Sequence, residues 1–346
     1  MLKFAIHMNV KALIIVVFIC FTSPFYAQHS SKKDKKKKKE KKEKKLPTNI
    51  EAFPKNYLFR PRFVYPQVWL NASSRLLGKG ETFNYKSGIA GIVGLSFKIK
   101  KVSASGAFQI PPSESFKQKY GATKFRNINI NIQGRTILWG FFYRDYKGFY
   151  LNDIEKVYPS WNKETLGYPK MPKLRVIEGG LNIGISFNRN FSLNAAFAQS
   201  ERQKKSAGSF LMGVSGRYQL IETDSVFIPP SQATAHPNLY KFKHGNFAST
   251  ILTFGFGYQF VYKYFHFTPV CLAGSGLQFQ SYTQIDKKRI WFNYPTYANV
   301  KAQLGYNGNH FFTNLIYQYE FNSIPIKESR IRLINNWWEI GVGVRF

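Results

Sequence analysis

The body of the chain contains four of its six histidines, and they are the first candidates for chemistry. They are His236, His244, His266 and His310. No HExxH motif or paired spacing is present, so the sequence predicts no metal site. A lipid hydrolase would need a histidine beside a serine and an acid, and only His266, with Ser275 and Asp286 nearby in sequence, offers that combination. Nothing in the spacing singles these three out, so we predict no catalytic residue, no metal ligand and no cofactor.

Cysteine chemistry is limited because the chain has two cysteines, Cys20 and Cys271. Cys20 lies in an apolar N-terminal segment that we expect to be removed. Cys271 would then be the only thiol, which excludes an intramolecular disulfide and a cysteine metal cluster. A lipid anchor on Cys20 is an alternative, but Ile19 precedes it where a small residue is expected.

One connection combines three basic residues, Arg202, Lys204 and Lys205, with a single acid, Glu201. A guanidinium can hold phosphate or carboxylate through two parallel hydrogen bonds, and the lysines add point charges. The sequence therefore predicts an anion-binding loop here. The alternative is a solvated loop that keeps apolar strands from aggregating.

The long connections repeat this basic bias in a chain whose formal net charge is +32. The residues are Lys117, Lys119, Lys124, Lys163, Lys170, Lys173, Arg175, Lys241, Lys243, His244, Lys287, Lys288, Arg289, Lys327, Arg330 and Arg332. Facing outward, they would meet the phosphorylated headgroups of outer-membrane lipids and lipopolysaccharide. An anion-selective lumen would explain the same charge excess.

The strands that position these residues are expected to follow an N-terminal signal peptide and a tail. Residues 1–27 combine a basic start with an apolar stretch, which is typical of a secretory signal peptide. Residues 28–54 contain a lysine-rich run that repels itself, so we expect a disordered periplasmic tail. Behind a signal peptide such a run is not a nucleic-acid arm. We assign the remaining residues, 55–346, to one folded domain.

After residue 27, no apolar stretch approaches the roughly 18 residues that indicate a membrane helix. Instead, apolar and small or polar residues alternate along segments such as LTFGFGYQFVY, residues 252–262. Many of these segments are longer than the usual 5 or 6 residues or so of a globular strand. Short and long connections also alternate. These features favour an all-β, transmembrane, antiparallel up-and-down barrel.

The strand number is predicted from the rule that the number of strands is even. We find thirteen candidate strands, among them Phe63–Asn71 and Phe191–Ser200. Single-chain bacterial barrels have an even number, so residues 222–246 should hide one more crossing, with Ser225–Pro230 as the candidate. We predict about 14 strands, or 12 if Phe63–Asn71 and the hidden segment lie outside the barrel.

The C-terminal run WWEIGVGVRF, residues 337–346, reads as the last strand. Gly341, Gly343 and Arg345 would share one face, with Ile340, Val342, Val344 and Phe346 on the other. We expect Phe346 at the periplasmic rim, as the membrane-insertion terminus that the barrel-assembly machinery handles during biogenesis.

A family resemblance rests on the stretch NFSLNAAFAQSERQKKSAGSFLMGVSGRY, residues 190–218. It is similar to the hallmark region of uncharacterised Gram-negative envelope proteins, the domain of unknown function 4421 family. The shared positions are Phe191, Ser192, Ala195, Ala196, Phe197, Gln199, Gln203, Lys204, Lys205, Ser206, Ala207, Gly208, Ser209, Phe210, Leu211 and Gly213. The opening NYLFRPR, residues 56–62, also resembles the family's start. The resemblance implies an outer-membrane barrel and supplies no activity.

Together these patterns predict a cell outer membrane protein that is not an enzyme: a small pore, or a structural or binding protein of the envelope. One alternative is an outer-membrane lipid hydrolase. A second is a soluble periplasmic β-sandwich that binds a lipid or a protein. The sequence does not fix an oligomeric state.

Overall fold

The computed structural model describes residues 47–54, 57–74, 82–224, 226–234, 236–284 and 287–346. The predicted signal peptide and residues 28–46 of the predicted tail lie outside the described residues. The folded part begins before the predicted boundary at residue 55, because Ile50–Ala52 already forms a strand that pairs with Glu201–Gln203.

The described residues form sixteen β-strands, numbered here in chain order. They are β1 (Ile50–Ala52), β2 (Tyr57–Ser74), β3 (Thr82–Ser87), β4 (Ile92–Ile99), β5 (Val102–Gln109), β6 (Lys124–Gln133), β7 (Ile137–Leu151), β8 (Lys170–Ser186), β9 (Glu201–Gln203), β10 (Ala207–Glu222), β11 (Phe242–Tyr262), β12 (Phe265–Gln284), β13 (Lys287–Asn293), β14 (Thr296–Asn307), β15 (Phe311–Ile326) and β16 (Ser329–Arg345). Short helices lie in the connections: α1 (Glu114–Tyr120), α2 (Ile154–Val157), α3 (Lys163–Leu166), α4 (Pro237–Tyr240), a π-helix (Asn194–Ala198) and a 3-10 helix (Pro230–Gln232).

One antiparallel sheet contains fourteen of the strands, which confirms the predicted fold and strand number over the described residues. Leaving out β3 and β13, the other twelve pair in a closed ring, in the order β2, β4, β5, β6, β7, β8, β10, β11, β12, β14, β15, β16 and back to β2. The β-sandwich alternative is wrong, because a single sheet closes on itself.

The fourteen strands are not the set that was predicted. Phe63–Asn71 lies in the ring as part of β2. Phe191–Ser200 does not cross but folds into the π-helix, whose alanine-rich sequence favours helix over strand. The segment 222–246 contains no additional crossing in its described part. Short breaks at 88–91 and 294–295 instead divide two predicted strands, which separates β3 from β4 and β13 from β14.

The alternation along the strands sorts side chains between lipid-facing and lumen-facing positions. In β16, Ile340, Val342 and Val344 are exposed on the outer wall, whereas Glu339 and Arg345 are buried inside. The predicted two faces of the last strand are therefore confirmed. Strands of this kind put apolar side chains outside and polar ones inside, the reverse of a soluble barrel.

The two ends of the barrel differ. We call the end with Tyr57 and Phe346 the terminal end; their rings stack there with centroids 6.2 Å apart. Its connections are short between β4 and β5, β6 and β7, β11 and β12, and β14 and β15, as predicted. The opposite end, here the loop end, carries the longer connections 110–123, 152–169 and 223–241.

Three connections differ from prediction. β15 ends at Ile326 and β16 begins at Ser329, so the expected long loop 322–330 is a tight turn, with Glu328 at a φ of +56°. β12 and β13 likewise extend far into the expected loop 283–289. The segment 201–207 lies at the terminal end, since the chain between β8 and β10 does not cross the barrel.

An apolar cluster fills the loop end of the lumen. Its fully buried members include Leu70, Tyr85, Phe227, Phe242 and Phe247. The ring of Phe227 packs against those of Tyr85 and Phe242, at centroid distances of 5.5 and 5.2 Å. The connection between β10 and β11 therefore folds inward over this mouth. We refer to these residues as the loop-end cluster.

No helix in the described part of the chain is long and apolar enough to span a membrane.

Candidate functional site

The terminal end of the lumen is filled by residues 191–203, which we call the plug. The plug comprises the π-helix and β9, and β9 pairs with β1. Phe191, Ala195, Ala196 and Gln199 are fully buried there. Ser192 precedes the helix, and its Oγ accepts a hydrogen bond from the N–H of Ala195 at 3.2 Å. The short polar and alanine residues of the hallmark stretch thus fold into the barrel mouth rather than into its wall.

Two buried arginines fasten the plug. Arg345, at the end of β16, donates hydrogen bonds to the carbonyl oxygens of Gln199 and Gly308. Arg202, within β9, donates to the carbonyl oxygen of Asn307 at 2.9 Å and pairs with Glu51 at 3.2 Å. Charge-assisted bonds of this kind are stronger than neutral ones. The plug is therefore tied to the last strands and to β1.

Amide and hydroxyl groups complete the attachment. Gln199 Nε2 donates to the carbonyl oxygen of Thr313 at 3.1 Å, and Asn314 donates to Gln199 Oε1 at 3.1 Å. Lys98 donates to Ser200 Oγ at 2.7 Å. The residues of the hallmark stretch that precede Lys204 therefore pack inside the barrel mouth or form the hydrogen bonds that hold the plug there.

A chamber with a volume of about 460 Å³ and a mixed polar and apolar lining lies between the plug and the loop-end cluster. Its lining includes Leu193 and Phe197 of the plug, and Tyr146 and Trp337 next to the loop-end cluster. Small and amide side chains of β5 and β6 form part of the wall: Ser103, Ser105, Asn127, Asn129 and Asn131. A volume of this size falls within the range of small-molecule sites, about 300–1,000 Å³.

The half of the chamber toward the loop end holds balanced charges. Glu320 lies 2.8 Å from Arg144 and 2.7 Å from Arg217. Glu178 lies 3.5 Å from Arg144 and accepts a hydrogen bond from Gln219 at 2.9 Å. The guanidinium of Arg217 also lies 4.4 Å from the ring centre of Tyr297. We call Arg144, Arg217, Glu178 and Glu320 the neutral cluster, since its charges cancel.

The half near the plug carries an excess of positive charge. Glu339 of β16 pairs with Arg60 at 2.9 Å and with Arg62 at 2.7 Å, both on the adjacent strand β2. Lys301 of β14 faces the same space, with its Nζ 4.7 Å from the ring centre of Phe197. We call Arg60, Arg62, Lys301 and Glu339 the cationic cluster.

The cationic cluster has hydrogen-bond donors and positive charges that the described residues do not pair. Among the described residues, Lys301 makes no ion pair, and Arg62 Nε has no hydrogen-bond partner. Three cations therefore face one carboxylate, which leaves two positive charges without a counterion among the described residues. A buried unpaired charge is costly unless an ion of opposite sign binds to it. The arrangement suits an anion in contact with Lys301 and Arg62, with Phe197 of the plug as its floor.

Sequence reasoning missed this cluster, although a signal was present. Arg60 and Arg62 are two residues apart in a strand, so both point to the same face. Lys301 interrupts the inward face of its own strand, between Asn299 and Gln303. The signal is therefore the charge at inward positions of predicted strands, whereas the predicted anion-binding residues lie in a loop.

The predicted anion-binding loop is split by the fold. Arg202 is buried in the plug and paired with Glu51, while Lys204 and Lys205 are exposed at the terminal end. Glu201 pairs with Arg135 at 2.8 Å and accepts a hydrogen bond from Ser192. Anion binding by Arg202, Lys204 and Lys205 together stays a prediction, and the side chain of Arg202 is already occupied.

The candidate hydrolase residues are separated. His266 and Ser275 lie in one strand, nine residues apart, which is roughly 30 Å along the strand. His266 contacts Gln199 of the plug at 3.1 Å, and Ser275 donates to the carbonyl oxygen of Pro295 at 2.7 Å. Asp286 lies outside the described residues. In the part of the chain that the structure describes, no three residues among His, Cys, Asp and Glu are grouped as metal ligands.

The basic residues at the loop end fall into two groups, those that pair with an acid and those that do not. In one, Lys119 of α1 contacts Glu164 of α3 at 2.9 Å, and this hydrogen bond lowers the pKa of Glu164 and raises the pKa of Lys119. In the other, cations stand on the outer wall with no acidic partner, as Lys124 of β6 does.

Comparison with known proteins gives a family and a set of similar folds. The family model described as Domain of unknown function (DUF4421) matches residues 48–346. No curated protein matches the chain.

Among solved structures, the chain is similar to three bacterial proteins. Outer membrane protease OmpT from Escherichia coli is 9% identical, with a TM-score of 0.38 and with 85% of this chain and 98% of that chain covered. The Pseudomonas putida toluene transporter TodX is 9% identical, with a TM-score of 0.29 and coverage of 85% and 91%. An outer membrane channel from Pseudomonas putida F1 is 8% identical, with a TM-score of 0.32 and coverage of 87% and 99%.

Proposed function

Since the chain belongs to the DUF4421 family, as its hallmark stretch predicted, and that family has no assigned activity, we propose a function from the geometry of the lumen. The protein is an outer-membrane barrel that binds a small organic anion in its chamber. It acts as a binding module without catalysis.

The cationic cluster carries this proposal. Arg60, Arg62 and Lys301 converge on one space with a single carboxylate, Glu339. The aromatic ring of Phe197 forms the floor of that space, and the ring of Phe142 lines the wall above. A carboxylate or phosphate ester with a planar apolar part would satisfy both kinds of lining, because polar groups fix its charged end and rings cover the rest.

The outer-membrane location is supported by the outer wall of the barrel. Apolar side chains such as Leu252, Phe254 and Phe256 are exposed there. A barrel strand needs about 9–11 residues to cross the membrane, and in β16 the exposed apolar run from Trp338 to Phe346 has that length. The terminal end, with its short turns, faces the periplasm, and the loop end faces outward.

Binding fits the lumen better than an open pore does. The plug fills the terminal end and the loop-end cluster fills the other, over the described residues. Passage of a solute across the barrel would therefore require both of them to move. We expect the resting protein to be closed in planar bilayers.

Isothermal titration of the detergent-solubilised full chain with phenyl phosphate tests the proposal. Lys301→Met should weaken binding by at least about tenfold, because it removes a cation that makes no ion pair within the described residues and is free to bind the anion. Lys101→Gln serves as the control, since Lys101 is exposed in the turn between β4 and β5. Equal binding by wild type and Lys301→Met would contradict the proposal, and so would the absence of any binding by the wild type.

A further inference from the structure

A group of cations stands on the outside of the barrel wall, near the loop end of β6 and β7. Lys124, Arg126 and Lys147 are all exposed there. Lys124 and Arg126 are two residues apart in one strand, so their side chains leave the same face. We call these three residues the wall patch.

The wall patch places like charges next to one another. In the register of β6 with β7, Lys124 lies directly opposite Lys147, and Lys147 in turn lies opposite Arg175 of β8. Side chains in such cross-strand pairs are neighbours, with Cβ atoms about 5 Å apart, and like charges there destabilise a sheet. Three cations in a row therefore repel one another unless an anion covers them.

The protein does not supply that anion. The nearest acid is Asp145, opposite Arg126 in the register, but Arg175 holds both of its oxygens at 2.9 Å. Glu222 also pairs with Arg175, at 3.3 Å. Within the described residues, no ion pair or hydrogen bond joins Lys124, Arg126 or Lys147 to another side chain. Acidic partners therefore neutralise the charge of Arg175, whereas the charges of the wall patch have no such partner among the described residues.

An apolar surface lies directly below the wall patch on the same two strands. Toward the terminal end, β6 exposes Ile128, Ile130 and Ile132, and β7 exposes Phe141 and Trp139. Tyr143 lies between this surface and Asp145 along β7. Cations above a strip of exposed apolar side chains match an amphipathic ligand with an anionic head and hydrocarbon chains.

We propose that the wall patch binds the phosphate group of a membrane lipid, with the lipid's acyl chains lying on the isoleucine and aromatic strip of β6 and β7. Lys124, Arg126 and Lys147 donate to the phosphate oxygens, since ammonium and guanidinium groups are the usual phosphate donors. The patch faces away from the chamber, so this lipid binding is independent of anion binding inside and rests only on the proposed membrane location.

The test compares two lipids that differ only in phosphate: a phosphatidic acid and the diacylglycerol with the same chains. The full-length protein is kept in a neutral detergent, and the affinity for each lipid is measured by native mass spectrometry. The wild type should bind phosphatidic acid, and K124Q/R126Q/K147Q should bind it at least about tenfold more weakly, because several partly exposed ion pairs are lost. Higher salt should weaken wild-type binding, since exposed charges are screened.

The matched control removes the same types of charge at the opposite end. K100Q/K101Q/R189Q changes two exposed lysines and one exposed arginine near the terminal-end turns. It should bind phosphatidic acid within about twofold of the wild type, because surface charges far apart act independently. Heat-modifiable gel mobility, with all three proteins shifting alike, checks that each variant is a folded barrel.

Three results would overturn the inference. One is K124Q/R126Q/K147Q binding phosphatidic acid as the wild type does. The second is wild-type binding of diacylglycerol with equal affinity, which would leave the phosphate without a role. The third is complete displacement of the lipid by an equal concentration of inorganic phosphate, which would make free phosphate the ligand. None of these outcomes depends on the chamber, so each is distinguishable from failure of the proposed anion site.

Discussion

Lys301 and Arg217 are both cations inside the barrel, but their surroundings differ. Arg217 contacts Glu320 at 2.7 Å within the neutral cluster. Lys301 contacts a ring and makes no ion pair within the described residues. When one member of a buried ion pair is removed, the remaining charge is buried without a partner, which is unfavourable. Removing a charge that has no partner removes such an unfavourable contribution. One residue should therefore serve stability and the other binding.

This difference predicts opposite effects on stability. In anion-free buffer, Lys301→Met should raise the free energy of unfolding by about 1–3 kcal/mol, because a half-buried cation that makes no ion pair among the described residues is replaced by an apolar chain of similar length. Arg217→Met should lower it by about 3–5 kcal/mol, because Glu178 and Glu320 are then left with Arg144 alone and the cluster holds one uncompensated buried negative charge. Urea unfolding of both variants in detergent, followed by gel mobility, measures the two shifts. A stability loss for Lys301→Met would assign it a structural role.

At the same scale, the sequence could predict the types of residue but not their neighbours. The spacing of the histidines gave no reason to group His266 with Ser275, and the structure places the two residues nine positions apart in one strand. The basic loop was visible, yet burial of Arg202 beside Glu51 was not, since the two are distant in the chain. Arg60 and Arg62 could be predicted to point into the lumen only if the lumen-facing side of their strand were known.

The plug is the element on which closure depends. Its alternating apolar residues resembled a strand, but Phe191 and Ala196 pack inside the mouth rather than on the wall. Helical preference and inward hydrogen bonds outweigh the alternation here, because the segment meets no neighbouring strand to pair with apart from β1. This tertiary context explains why the predicted crossing at Phe191–Ser200 was wrong.

Weakening the plug should open the terminal end of the chamber. Arg202→Ala removes the bond to the carbonyl oxygen of Asn307 and the ion pair with Glu51. We expect phenyl phosphate to reach the cationic cluster faster than in the wild type, which stopped-flow tryptophan fluorescence measures because Trp337 lines the chamber. Arg189→Ala is the control, because Arg189 is exposed at the same end of the barrel. An unchanged association rate for Arg202→Ala, at normal folding yield, would show that this arginine does not keep the plug in place.

At the scale of the whole molecule, the sequence predicted the class of fold and the number of strands in the sheet. Alternation and turn spacing report local geometry, which is why the antiparallel barrel and the two faces of β16 were correct. The breaks at 88–91 and 294–295 and the inward fold of the β10–β11 connection depend on long-range packing. The twelve-strand ring within the fourteen-strand sheet therefore emerged only from the strand pairing.

The charge of the molecule is distributed to match its proposed surroundings. Cations inside the lumen gather next to the plug, at Arg60, Arg62 and Lys301. Cations outside gather on the wall at Lys124, Arg126 and Lys147, above the apolar strip. The proposed inner anion site and the proposed outer lipid site would account for different parts of the chain's net charge of +32.

Crystals of the full-length barrel soaked in sodium bromide test the anion-binding chamber most directly, because bromide is an anion that anomalous scattering locates. We predict an anomalous peak inside the barrel, within contact distance of Lys301 Nζ and Arg62 Nε, and its loss in Lys301→Met crystals. Bromide found only on the outer surface, with none in the chamber, would contradict the proposed site.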